Sequence, residues 1–185
     1  FGHTSKKTWP TKKSHINLVV ADTDTWEQIA AKTLEKLPAV ESYVKNAFLG
    51  FAIPYIDGGK EREYLPDYLV HLRTPKLREA TLILEITGFN KDKAIKRWAV
   101  NERWLPAVNN ARGKLGLAPW YFAEIDDIDD IKPVLTRTIQ GIVDEIDAAP
   151  DTLGEALRLL ASLPDDFYLE GREDPPLFEQ REPFE

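Results

Sequence analysis

Apolar and polar positions along this chain change period several times, and each change predicts an element. Residues 15–21 alternate briefly and then turn apolar, as a short strand does. Asp24 or Thr25 follows as an N-cap. Trp26, Ile29, Ala30, Thr33, Leu34 and Leu37 then recur at helical spacing, so a helix is expected through about Leu37. Pro38 opens a second short helix or turn reaching Lys45. Residues 48–56 read as a strand, Asp57-Gly58-Gly59-Lys60 as a tight turn, and residues 64–72 and 81–86 as two further strands interrupted by Thr74-Pro75-Lys76. Three antiparallel strands in succession are therefore expected. Asn90 caps a helix starting at Lys91, with Ala94, Ile95, Trp98, Leu105 and Val108 on one side and Pro106 kinking or restarting it. Residues 119–125 form a strand after a crossover, 131–146 an amphipathic helix, and 152–163 a shorter one with Leu153, Ala156, Leu157, Leu160 and Leu163 on one side. The fold class is thus α/β, a mixed sheet flanked by helices.

Within this pattern Glu85 is the residue packing explains least. It sits in the apolar run Thr-Leu-Ile-Leu-Glu-Ile, where a carboxylate is costly unless it is paired, hydrogen-bonded or metal-bound. If the strands form a hairpin, Asp67 faces it from the neighbouring strand. Two carboxylates so placed suit a hard divalent cation that takes oxygen ligands, magnesium first and manganese as an alternative.

These residues also carry a resemblance. Pro66-Asp67 followed by Glu85-Ile86-Thr87 resembles the PD-(D/E)xK nuclease motif. Trp9-Pro10-Thr11, Ser14-His15-Ile16-Asn17, Tyr43-Val44-Lys45-Asn46, Leu49-Gly50-Phe51 and Arg103-Trp104-Leu105-Pro106-Ala107-Val108-Asn109 resemble the C-terminal region of type III restriction endonuclease Res subunits and related helicases. The similarity runs from about Lys7 to about Gly141. It implies a restriction-endonuclease-like core, magnesium-dependent DNA cleavage by Asp67 and Glu85, and a helicase motor preceding this segment. The chain departs from the motif at Thr87, where the family has lysine. Lys91, in the first turn of the next helix and just past the Glu85 strand, is the expected substitute. The alternative is a catalytically inactive DNA-binding or docking module. Glu27 either complements its helix dipole or joins the metal site, since nucleases of this fold often carry an acid on the first helix.

Charge adds a second layer. From Asp144 onward there are 13 acidic and 3 basic residues, against 18 and 21 before it, so a mildly basic body precedes an acidic tail. On the basic helix, Lys93 and Lys96 are expected to point outward with Arg97 and Arg103 nearby, as cations for DNA phosphates. The organisation expected is an arm over 1–13, a nuclease-like domain over 14–148, and a short helix with an extended acidic tail over 149–185. That tail resembles the toxin-binding segment of VapB-type antitoxins, which implies a toxin-like partner held through Phe167, Tyr168, Leu177, Phe178 and Phe184.

Other chemistries are excluded or disfavoured. The chain has no Cys, and His3, His15 and His71 are too scattered along it to suggest a zinc site. Asp126, Asp127, Asp129 and Asp130 lack the Gly and terminal Glu of a calcium loop and read as a helix-capping turn. No phosphate loop, signal peptide or apolar run of membrane-spanning length is present, so a cytoplasmic protein without membrane contact is expected. The absence of Met further suggests a fragment of something larger.

Overall fold

The computed structural model describes residues 8–20, 26–47, 49–86, 93–127 and 129–162. Two units divide the chain, Phe1–Ala148 and Ala149–Glu185. In the second, the helix α5 (Leu153–Ala161) starts where Thr152 accepts the Glu155 N–H at 3.1 Å, an N-cap written into the sequence. The tail residues Phe167, Tyr168, Leu177, Phe178 and Phe184 lie outside the described residues, as do Thr87, Asn90 and Lys91.

The first unit is mixed α and β, built on a four-stranded sheet in the order β3 (Val40–Lys45), β6 (Tyr68–Arg73), β7 (Glu79–Ile86), β8 (Trp120–Ile125). The β3–β6 and β6–β7 pairs are antiparallel, and β7–β8 is parallel. A parallel pair needs a long crossover. It is supplied here by α2 (Lys93–Ala99), a π-helical turn (Val100–Trp104) and α3 (Leu105–Leu115). Pro106 stands two residues after the end of that turn, at the second position of α3. Proline donates no N–H to the helical ladder, so a widened turn beside it is the expected accommodation.

The apolar run of β7 is explained by its place in the middle. Ala80, Leu82, Leu84 and Ile86 enter one core with Tyr43, Tyr68, Val70 and Leu72, under α1 (Trp26–Leu34) and α4 (Ile131–Ala148). Ile83 points the other way, into a second core with Ile53, Tyr64 and Val100. A strand covered on both faces has no solvent side to keep polar. Helix α4 follows the amphipathic rule directly, burying Ile131, Leu135, Ile139, Ile142, Val143 and Ile146 along one stripe.

Three expectations are corrected. Residues 38–45 are not a helix or turn but contain β3. A bulge between Val40 and Ser42 leaves the buried Val40 and Tyr43 three positions apart, and this imitates helical spacing. Second, residues 48–56 do not form a strand of the main sheet. Instead β4 (Ile53–Asp57) and β5 (Lys60–Tyr64) make a separate hairpin, turned by Gly58 and Gly59 at φ of 55° and 78°. Third, residues 64–72 are two strands rather than one, because the chain leaves β5 at Tyr64 and re-enters the sheet at Tyr68 after Pro66. The three antiparallel strands are accordingly β3, β6 and β7.

Two further strands, β1 (Thr8–Pro10) and β2 (Leu18–Val20), pair with each other, so the expected strand at 15–21 is present in shortened form. Among the described residues no helix is long and apolar enough to cross a membrane.

Candidate active site

Asp67 precedes β6 and Glu85 lies near the end of β7, and the register Tyr68↔Leu84 brings these ends side by side. Asp67 is locked from both directions. Its carbonyl accepts the Asn46 N–H from the end of β3 at 2.8 Å, and its Oδ2 accepts the Ile86 N–H at 2.7 Å. Glu85 Oε2 accepts the hydroxyl of Tyr64, the last residue of the hairpin, at 2.8 Å. One oxygen of each carboxylate is thus fixed by a donor.

Burial pushes the Asp67 carboxyl above its usual range; the Ile86 N–H opposes this, Glu27 adds to it and Lys45 works against it. Glu85 is pushed up to about 7 by burial and then by the charge of Asp67, against the Tyr64 hydrogen bond, the charge of Lys96 and the Asp67 amide. The two acids therefore repel each other in a half-buried place. Tyr64 is driven well above the ordinary tyrosine value by burial and by Glu85, so its hydroxyl stays a donor.

Glu27, in the first turn of α1, belongs to the same neighbourhood. Its carboxylate is ion-paired with Lys45 at the end of β3, and its carbonyl accepts the Tyr68 hydroxyl at 3.0 Å. This pair accounts for Glu27 more fully than the helix dipole does.

On the other side of Glu85 stands Glu124, its register partner on β8. Glu124 is 10% exposed and receives Lys93 at 3.3 Å and Arg97 at 3.7 Å; Lys93 also reaches Asp126 at 3.0 Å. Burial disfavours the charge on Lys93, but Asp126 and Glu124 outweigh it and hold that ammonium above the ordinary lysine value. Lys96 Nζ lies 5.8 Å from the centre of the Tyr64 ring.

These contacts correct the expected orientation of the crossover helix. Lys93 and Lys96 face the carboxylates instead of pointing away, while Ala94 and Trp98 are exposed. Buried acids draw cationic partners inward, so the inner stripe of α2 is basic and an apolar wheel assigns it the wrong phase. Arg103, 5.3 Å over the Trp98 ring, is a surface cation–π contact.

Sequence reasoning missed Tyr64, Lys45 and Glu124. Tyr64 and Lys45 carry no local signal. Glu124 did carry one, since it interrupts the apolar strand Trp-Tyr-Phe-Ala-Glu-Ile as Glu85 interrupts its own.

The donor pair fits a hard cation. Asp67 and Glu85 offer oxygens only, and two half-buried carboxylates that repel each other favour a divalent ion between them, while Glu27 keeps its carboxylate on Lys45. Asn46, tied to Asp67 through the backbone, gives its side-chain amide N–H to the Phe51 carbonyl at 2.7 Å, and its Oδ1 is buried without a partner among the described residues. No protein-family model, curated protein or solved structure matches the chain.

Proposed function

We propose that this chain is a magnesium-dependent DNA endonuclease domain with a restriction-endonuclease-like core, and that Asp67 and Glu85 hold the ion. The observation that carries the reading is the meeting of these two carboxylates at adjacent strand ends, each fixed through one oxygen. The order of helix, three antiparallel strands, helical crossover and parallel strand supports it, because this is the core the resemblance implies.

Within the reaction, the chain's own residues orient and neutralise. Ile86 N–H and the Tyr64 hydroxyl fix the carboxylates, so little reorganisation remains when a phosphodiester enters. Magnesium, when bound, would withdraw charge from the scissile phosphate and acidify a bound water. Lys96 takes the role of the missing motif lysine. Its charge acts on Glu85, and the Tyr64 ring backs it, so it is placed to stabilise the extra negative charge that develops when water attacks phosphorus and the P–O bond breaks. Lys93 and Arg97 offset Glu124, which would otherwise repel the DNA backbone. A helicase motor in front of this domain and a toxin-like partner for the acidic tail belong to the proposal through resemblance alone.

Thr87 favours the second reading, an inactive DNA-holding module, because threonine cannot carry the motif's positive charge. Incubation of the purified chain with supercoiled plasmid separates the two. Nicking or linearisation that requires magnesium and stops on chelation supports the nuclease; DNA retained uncut at every magnesium concentration supports the module.

A further inference from the structure

A second cluster of ligand-type side chains lies near the opposite end of the same strands. Glu41 on β3, His71 on β6 and Glu79 on β7 place one ligand atom each within 4.8 Å of one another. The β3 bulge is the local cause, because the extra residue between Val40 and Ser42 re-aims the chain at Glu41. We propose that these three residues form a binding site for a transition-metal ion of the zinc class, separate from the all-oxygen carboxylate pair.

Neither imidazole contact closes to a hydrogen bond, and a single ion would take one of the two ring nitrogens. His71 Nδ1 is 3.5 Å from Glu41 Oε2, and His71 Nε2 is 3.7 Å from Glu79 Oε2. Hydrogen bonds of this type close to about 2.7–3.2 Å. Two ligands on a tetrahedral zinc with bonds of about 2.0 Å stand about 3.3 Å apart, close to the spacing of one imidazole contact; the third ligand atom, within 4.8 Å of the other two, has to move inward on binding. The carboxylates are already held for this purpose from behind: Arg73 takes Glu41 Oε1 and Glu79 Oε1 at 2.9 Å each, leaving the Oε2 atoms toward the imidazole. With a neutral imidazole the four side chains sum to one negative charge, so a dication is still attracted.

Access is present as well. Glu41 and His71 line a cavity of about 510 Å³ that Lys12, Lys13 and His15 border, which leaves room for a fourth ligand. An imidazole with two carboxylates suits zinc, whereas magnesium prefers oxygen alone.

Zinc titration of the full chain by calorimetry, in excess magnesium, tests the site. One zinc per chain is expected, with affinity at least tenfold weaker in His71→Ala and in Glu79→Gln and unchanged in His15→Ala. Cobalt should give the intense visible bands of a low-coordinate site in the wild-type chain, a readout that holds even if a variant misfolds. Equal zinc affinity in folded His71→Ala, an equal loss in His15→Ala, or weak octahedral cobalt bands would overturn the site and leave an ion-pair network centred on Arg73.

Discussion

Tyr64 donates its hydroxyl to Glu85 Oε2 at 2.8 Å, joining the β4–β5 hairpin to the central strand of a different sheet. The hairpin is therefore part of the site and not an ornament on it. Removing the donor tests this. Tyr64→Phe keeps the ring in the second core and should cost about 1–2 kcal/mol of stability, read from urea unfolding, because a half-buried carboxylate loses a partner. It should also raise the Glu85 carboxyl further, since the hydroxyl favours the ionised form. An unchanged pH profile of magnesium binding in this variant would show that the contact does not tune the site.

The pH dependence of the metal-free protein follows from the raised Glu85 carboxyl. Its folded value is about 7, against an ordinary 4.5, so the folded state holds the proton more tightly than the unfolded state does. The stability it contributes is complete below about 4.5 and is lost as pH rises through about 7. Glu85→Gln lacks this slope, so its Tm relative to wild type should climb across that window. A constant difference from pH 4.5 to 7.5 contradicts the burial argument. Magnesium binding should show the opposite trend, weakening about tenfold per pH unit below 7 as protons compete for Glu85.

Lys96→Met should slow cleavage by about a hundredfold, the scale expected when one positioned electrostatic group is removed, while leaving magnesium affinity within a fewfold of wild type. Lys96→Arg, which keeps the charge, should recover part of the rate. Rates equal to wild type in folded Lys96→Met would remove Lys96 from the site and return attention to Lys91.

The parts of this structure legible in the sequence are those whose patterns are local. The stripe of α4, the Gly-Gly turn of the hairpin and the apolar run of β7 each state their surroundings, and Glu85 inside that run states that something must compensate it. What stayed hidden depends on neighbours far along the chain. The β3 bulge imitates a helix until its partner strand is known, and the inward stripe of α2 is basic only because Glu124 waits on β8. His71 looks isolated in sequence, yet cross-strand pairing sets it between Glu41 and Glu79. Spacing along a chain cannot report proximity across a sheet.

In the proposed function Asp67 and Glu85 act as one metal-holding pair in DNA cleavage. The most direct measurement is the initial rate of supercoiled plasmid nicking against magnesium concentration for the wild-type chain, Asp67→Asn and Glu85→Gln, with folding of each checked by circular dichroism. Magnesium-dependent nicking is expected in the wild type, with a loss of at least about a thousandfold in either folded variant, the size seen when a member of an interdependent catalytic set is removed. Nicking at the wild-type rate in either one would contradict that pairing and place the chemistry elsewhere.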